Sequence, residues 1–449
     1  MKELYKKILS QIKKNNIQFI RFVWCDNAGI TRTKAVHVRY VSDYFNDVGV
    51  GIAMAQQALP VMYDAPAPNS GLTPAGEVFM RADWTTFKVL SYSPGHARVF
   101  TYIFNDGRPW TQCPRSFLSK VIKKALKYNL SLKVAFENEF YLLKLKDGMV
   151  QPFDQSLFAQ TYALDNANTV ITDIINALSA QEIYPEMLYA ESGSGQFEIP
   201  VRYTDVLGAA DQQIAFKETV RGIAQKFDNV IASFVPKLFS DKAGSGAHLH
   251  FSLWEDEKNI TPSSSNNKII SKKAQSFIAG ILFHLPALMC LTTPSTNSYK
   301  RIKPRFWSGA YQCWGYGNRE AAIRIPQTDG TNPITNIELK TVDPTCNPYL
   351  AIGVMISAGL DGLEKKMKLG NPVNTEPVDL TKDELLEENI NLLPSNLGQA
   401  IDHFKKDRVI LDMLGKDLAQ SFLAVRKAEW EAMKDFSIEE ESKILLERY

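Results

Sequence analysis

Seven side chains of the kinds that hold divalent cations recur along the chain, in Phe136-Glu137-Asn138-Glu139-Phe140, Glu191-Ser-Gly-Ser-Gly-Gln-Phe-Glu198, Gly244-Ser-Gly-Ala-His248-Leu-His250 and Ile337-Glu338-Leu339-Lys340. Most lie in stretches too apolar to tolerate unpaired charge. Glu137 and Glu139 fall within Val134 to Leu145, a run rich in strand formers, where residues two apart share one face. Two carboxylates on one face repel unless a cation lies between them. His248 and His250 share a face by the same spacing, and Gly244 and Gly246 before them let backbone approach a ligand closely. Taken singly, each motif has an ordinary alternative: a lone His-x-His is commonly structural, Glu-x-Glu is often a solvated strand edge, and Glu191 to Glu198 equally describes a Gly-containing turn. Taken together, a set in which carboxylates outnumber imidazoles suits Mg²⁺ or Mn²⁺ rather than zinc, and such ions bridge and neutralise polyphosphate oxygens.

A second, basic set comprises Lys300-Arg301, Asn318-Arg319, Arg324 and Lys340. Arginines are bidentate partners of carboxylate and phosphate. Arg324 sits in Ala-Ala-Ile-Arg-Ile-Pro, an apolar run that calls for a ligand or a buried carboxylate partner, whereas Arg319, between Asn318 and Glu320, is equally compatible with a solvated position. Carboxylate-held metals with convergent arginines imply an anionic phosphoryl substrate. No G-x-x-x-x-G-K-[ST] loop is present, so the chain is not a P-loop enzyme.

The elements that must position these groups alternate strand and helix patterns. Leu4, Ile8 and Ile12 predict a helix, followed by strands Ile17 to Trp24 and Ile30 to Val38 across the turn Asp26-Asn-Ala-Gly29. Leu59 to Gly76 reads as a long loop, Val99 to Phe104 as a strand, and Asp106-Gly-Arg-Pro109 as a boundary, which places a domain break near residue 108. Beyond it, strands are expected at 133–145, 196–202, 230–236, 247–253, 321–325 and 336–341, and helices at 115–128, 168–181, 209–228, 272–291 and 347–367. That order predicts an α+β domain with one large sheet. Residues 370–395 read as polar, acidic and irregular, ahead of a helical tail.

With 449 residues and 45% hydrophobic content the chain can bury a large core. A formal net charge of +2, from 51 basic and 49 acidic residues, makes no electrostatic case for nucleic acid or a membrane surface, which leaves small molecules or further copies of the chain as partners. The five cysteines lack CxxC spacing and indicate neither a disulfide framework nor a zinc ribbon, which fits a reducing cytoplasm. The N-terminus lacks the features of an export signal, and the longest apolar stretch, Phe277 to Leu291, is interrupted by His284 and Pro286. Neither export nor membrane spanning is expected.

The order ExE, E-x6-E with an internal Gly-Gln, GSGxHxH, Asn297-Ser-Tyr-Lys-Arg301, Asn318-Arg-x-Ala-x-Ile-Arg-Ile-Pro326 and ExK, then Asp-Pro and Asn347-Pro348-Tyr349, resembles the glutamine synthetase family of type I-like members. The likeness extends to Leu393-Pro394-Ser395 and Ala428-Glu429-Trp430, through nearly the whole chain. It implies a small N-terminal β-grasp-like domain, here 1–108, and a catalytic domain, here 109–449, with an antiparallel sheet and flanking helices. It also implies homo-oligomeric stacked rings, dodecameric in many members, with active sites between neighbouring subunits. Carried over by position, Glu139, Glu191 and Glu198 resemble the ligands of one metal, and Glu137, His248 and Glu338 those of the second, for two or three Mg²⁺ or Mn²⁺ ions per site. ATP would lie by Arg319, Arg324, His250, Ser252 and Asn336. Arg301, Gly244 and Lys340 would hold the amino acid, glutamate or a close analogue. The implied activity is an ADP-forming carboxylate–amine ligase acting through a γ-glutamyl phosphate.

Departures from the family pattern bear on the amine. Gly49-Val-Gly51-Ile-Ala53 puts Ala53 where ammonium-using members carry an aspartate, and the flap carboxylate falls on Trp307. Both anionic ammonium ligands are missing, and an indole suits a larger organic amine. Lys340 and Asn336 replace arginines and Ala243 an asparagine, so the acid is glutamate or an analogue. These stretches look most like the glutamine-synthetase-like domain of FluG and nodulin-type proteins, expected here without their amidohydrolase partner. Residues 370–395 contain no tyrosine, so adenylylation is not expected. The alternatives are a glutamine synthetase using ammonium, with Asp64 or Glu77 supplying the lost charge, and a non-catalytic assembly protein. Retention of all six metal positions argues against the latter, because an idle site has no reason to keep mutually repelling carboxylates.

Overall fold

A computed structural model describes residues 2–146, 148–327 and 330–449. Among these residues two sheets are built. The N-terminal helix Lys2–Lys14 precedes the hairpin Phe19–Cys25 and Thr31–His37, which joins Val50–Ala53, Glu77–Val89 and His96–Asn105 in one mixed sheet. In this sheet Phe19–Cys25 runs parallel to His96–Asn105 and antiparallel to Thr31–His37, the β-grasp-like arrangement expected. The Glu77–Val89 strand escaped the sequence reading. Its inward residues Val78, Met80, Trp84 and Phe87 lose strict alternation where the register shifts between Asp83 and Lys88, and Phe79 presents an outward ring.

The long strand Ser131–Lys146 lies at the centre of the larger sheet, an eleven-stranded one among the described residues. It is flanked by Ala247–Glu255 on one side and Gln196–Pro200 on the other, and the path continues through Ile337–Leu339, Ala321–Ile325 and Tyr311–Tyr316. Most pairings are antiparallel, as expected; Tyr311–Tyr316 with Ala321–Ile325 is parallel, and the former strand was not foreseen. Helices cover the sheet, among them Lys272–Thr292 and Pro348–Glu364, both mostly buried. The first is long and apolar enough to cross a bilayer, yet 72% of its most apolar window is buried inside the protein. Residues 370–395 are less irregular than their composition suggested: they hold a short helix, Lys382–Glu387, started by a reciprocal capping box between Thr381 and Glu384.

The first hairpin turn of the smaller sheet packs on the segment between Ile337–Leu339 and Pro348–Glu364. Asp26 accepts the amides of Ala28 and Ile30, and Gly29 adopts φ 81° with its Cα so close to the Thr345 carbonyl that a Cβ would lie 2.1 Å from it. Asn347 donates to the Cys25 and Asp26 carbonyls, tying this turn to the start of the Pro348–Glu364 helix.

Candidate active site

Strand register gathers the acidic groups. Glu137 lies opposite His248, His250 opposite Glu338, Arg324 opposite Glu338, and Glu139 opposite Glu198. Directly opposed residues of antiparallel strands project to one face, as do residues two apart along each strand. Glu137, Glu139, Glu198, His248, His250, Ser252, Arg324 and Glu338 therefore share a single face, although they come from five strands, and Lys340, just past Ile337–Leu339, pairs with Glu338 there.

The contacts on that face are close. His248 Nδ1 lies 2.9 Å from Glu137 Oε1 and 3.2 Å from Glu338 Oε1, and its Nε2 is 3.7 Å from Glu139 Oε1. Two groups of ligand atoms fall within 4.8 Å of one another, Glu137 with His248 and Glu338, and Glu137 with Glu139 and Glu198. The first is the set carried over for one metal. The second holds Glu139 and Glu198 of the other set, with Glu137 shared between the two groups; Glu191 stands outside it, one carboxylate oxygen accepting the Ser192 amide.

Electrostatics on this face are unbalanced. Burial, followed by the charges of Glu137, Glu139, Glu191 and Glu338, pushes the Glu198 carboxyl up to about 10. Burial and then Glu139 raise Glu191 to about 7. In contrast, Lys340, His248 and His250 overcome the burial of Glu338 and hold it well below the carboxylate range. Burial opposes charge on His248 and His250, and their carboxylate partners outweigh it and raise both. Two carboxyls shifted up, two shifted down and two imidazoles shifted up on one buried face mark a cluster whose charge a divalent ion would balance. His248 Nε2, buried and without a hydrogen-bond partner, points the same way. The residues fit Mg²⁺ or Mn²⁺.

Beside the cluster, Arg301 is buried and donates to the Val342 carbonyl at 3.1 Å, while its Nε has no hydrogen-bond partner. Gly244 packs on it so tightly that a Cβ would fall 2.4 Å from Arg301 Cγ. Gln196 donates to the Gly244 carbonyl, and the Gly246 amide donates to Glu139 Oε2, which fastens the glycine loop to the acidic face. The internal glutamine of the E-x6-E motif was noted without this role, which no local spacing reveals. Lys340 and Arg324 both pair with Glu338, at 3.2 and 2.9 Å. His250 shares a hydrogen bond with Asn336, and Ser252 accepts from the Trp254 indole.

Ala53, Trp307 and Arg319 lie outside these five strands. Ala53 ends a strand of the smaller sheet, paired with Glu77. Trp307 lies 54% exposed in the loop before Tyr311–Tyr316, and the Arg319 guanidinium sits 5.9 Å from its ring. Buried Glu320 accepts the amides of both Arg305 and Trp307, a contact the sequence reading did not single out.

Residues 111–444 match the family described as glutamine synthetase, catalytic domain. The chain is 35% identical to type-1 glutamine synthetase 1 of Dictyostelium discoideum, over all of this chain and 93% of that one. It is 33% identical to a glutamine synthetase of Methanosarcina mazei, over 95% and 94% of the two chains. Among solved structures, a novel glutamine synthase homologue superposes with a TM-score of 0.85 at 28% identity, covering 96% of this chain and 99% of the other. GmaS in complex with ADP superposes with a TM-score of 0.84 at 27% identity, covering 98% and 99%.

Proposed function

Because the chain belongs to the glutamine synthetase family of ATP-dependent ligases, we propose that it joins the γ-carboxylate of glutamate, or a close analogue, to an organic amine. The observation that carries this reading is the single sheet face on which Glu137, Glu139, Glu198, His248 and Glu338 meet, with Arg324 and Lys340 interleaved. In this reading Glu139, Glu191 and Glu198 hold one ion and Glu137, His248 and Glu338 another. A bound Mg²⁺ or Mn²⁺ would supply positive charge to offset that of the phosphoryl group. The ADP bound by the GmaS neighbour supports a nucleotide site here.

Arg301, through its unpartnered Nε, and the Gly244 backbone hold the α-carboxylate and amino end of the acid, with Lys340 nearby. The γ-carboxylate oxygen attacks the γ-phosphorus of ATP, the bond to the ADP oxygen breaks, and ADP leaves. Arg319 and Arg324 offset charge on the moving phosphoryl group. The amine nitrogen, its ammonium proton first lost to water, attacks the γ-carbonyl carbon. The carbon–oxygen bond to phosphate breaks, phosphate departs, and the nitrogen releases its second proton to leave an amide. Ala53 and Trp307, at positions where ammonium users carry carboxylates, favour an organic amine. The names of the relatives favour ammonium. Assembly in stacked rings with sites between copies, and a boundary near residue 108, belong to the same proposal.

The test is phosphate release by the purified protein with ATP, Mg²⁺ or Mn²⁺ and glutamate, comparing ammonium with organic amines and identifying products by mass spectrometry. Release with an organic amine and not ammonium supports the proposal; release with ammonium alone overturns it in favour of glutamine synthesis.

A further inference from the structure

The acidic face continues into an aromatic surface. Tyr189 lies directly across from Glu198 on the neighbouring antiparallel strand, so its ring leaves the sheet on the side of the carboxylates. Phe158 meets Tyr189 edge-on, with centroids 5.4 Å apart and planes at 83°. It meets Trp307 in the same way, at 6.4 Å and 76°. Rings from three separate segments thus form one continuous chain from Glu198 to the loop that carries Trp307. They remain 39%, 43% and 54% exposed for Tyr189, Phe158 and Trp307. A contiguous apolar surface bordered by charged chemistry is the usual mark of a binding site.

Trp307 is held in this position against its own preference. Its φ of 53° is a left-handed conformation that a bulky side chain rarely adopts. Arg305, at φ 64°, is in the same region, and the amides of both residues are taken up by the carboxylate of buried Glu320, at 3.0 and 2.7 Å. The indole is presented outward by a built support.

We propose that Phe158, Tyr189 and Trp307 form the wall of the amine subsite and select a primary monoamine with an apolar or aryl body. This rests on the amide-ligase reading above and adds the class of amine. Phe158 and Tyr189 are the new specificity-determining residues. The charges beside the wall separate a monoamine from a diamine or polyamine. Arg319 already lies 5.9 Å from the Trp307 ring centroid, and both Glu320 oxygens are engaged by backbone amides. At the Trp307 end of this wall a second ammonium would meet the Arg319 charge, and each Glu320 oxygen there already accepts a backbone amide. An alkyl or aryl body pays no such electrostatic cost and gains edge-on ring contacts.

The experiment measures phosphate release by the full chain with ATP, Mg²⁺ and glutamate, using hydroxylamine, ammonium, methylamine, butylamine, benzylamine and putrescine as separate acceptors. Expected is a kcat/KM that rises from methylamine to butylamine and benzylamine, with butylamine exceeding putrescine by about tenfold, or about 1.4 kcal/mol. Phe158→Ala and Tyr189→Ala should each lower the benzylamine-to-methylamine ratio of kcat/KM by about tenfold, with Phe158→Leu retaining part of it. A ratio unmoved by both alanine variants, or a preference for putrescine over butylamine, overturns the proposal and leaves the ligase reading intact. Absence of phosphate release with every acceptor, hydroxylamine included, overturns the ligase reading and this inference with it.

Discussion

Glu139 and Glu198 face each other across neighbouring antiparallel strands, two carboxylates set opposite on one side of a sheet whose other near groups include Glu137, Glu191 and Glu338. Burial and the neighbouring carboxylates raise the Glu198 carboxyl, so full ionisation of the pair carries a cost that a divalent ion between the strands would offset.

Glu139→Ala should abolish ATP turnover. It should also remove the protection that Mn²⁺ gives against thermal unfolding, about 2.7 kcal/mol for the native protein at a hundredfold excess over Kd. With chelator present the variant should melt close to the native temperature, since relief of carboxylate repulsion offsets the loss of the Gly246 amide hydrogen bond. Differential scanning calorimetry with and without Mn²⁺ reads both effects, and retained turnover would refute the metal assignment.

Gly244→Ala puts a Cβ 2.4 Å from Arg301 Cγ, so the guanidinium or the glycine loop must move. The KM for glutamate should rise by about tenfold or more, equivalent to about 1.4 kcal/mol of lost binding, while the KM for ATP changes far less. Equal shifts in both constants would place Arg301 outside the acid subsite.

Trp307→Glu restores a carboxylate to the loop beside Arg319. The kcat/KM for ammonium relative to an organic amine should rise by about tenfold, since the indole contact is exchanged for an anion that favours a bare cation. Competition between ammonium and butylamine, read by product mass, checks it; an unchanged ratio would exclude Trp307 as the determinant.

His284, buried in the Lys272–Thr292 helix, bridges Asp407 at 2.5 Å and Asp361 at 3.0 Å, and Lys365 also pairs with Asp361. Burial pulls its pKa down, but the hydrogen bonds its ring makes to the Asp407 and Asp361 carboxylates outweigh it and the net shift is upward. With the folded pKa above the unfolded value of about 6.5, the stabilisation is complete below that pH and is lost as pH rises through the folded pKa. The native protein should exceed His284→Gln in unfolding free energy by up to about 3 kcal/mol near pH 6, with the gap narrowing at higher pH. Urea unfolding across that range tests the sign.

Much of the candidate site is legible in local spacing. Period-two repeats put Glu137 with Glu139, His248 with His250 and Glu338 with Lys340 on shared faces, because side-chain direction along a strand depends only on the strand itself. The motif order, carried by residue type and spacing alone, led to the family. Which strands become neighbours, and in what register, depends on contacts between segments far apart in sequence. The tertiary structure alone set Glu137 against His248 and Glu139 against Glu198, and left Glu191 to its own turn amide. It alone drew Phe158 and Tyr189 into line with Trp307, and placed Glu320 under the loop. An isolated phenylalanine or tyrosine in a sequence carries no signal of the ring it will meet. The Glu77–Val89 strand was hidden for a related reason: its alternation breaks at a register shift that only its partner, His96–Asn105, makes sense of.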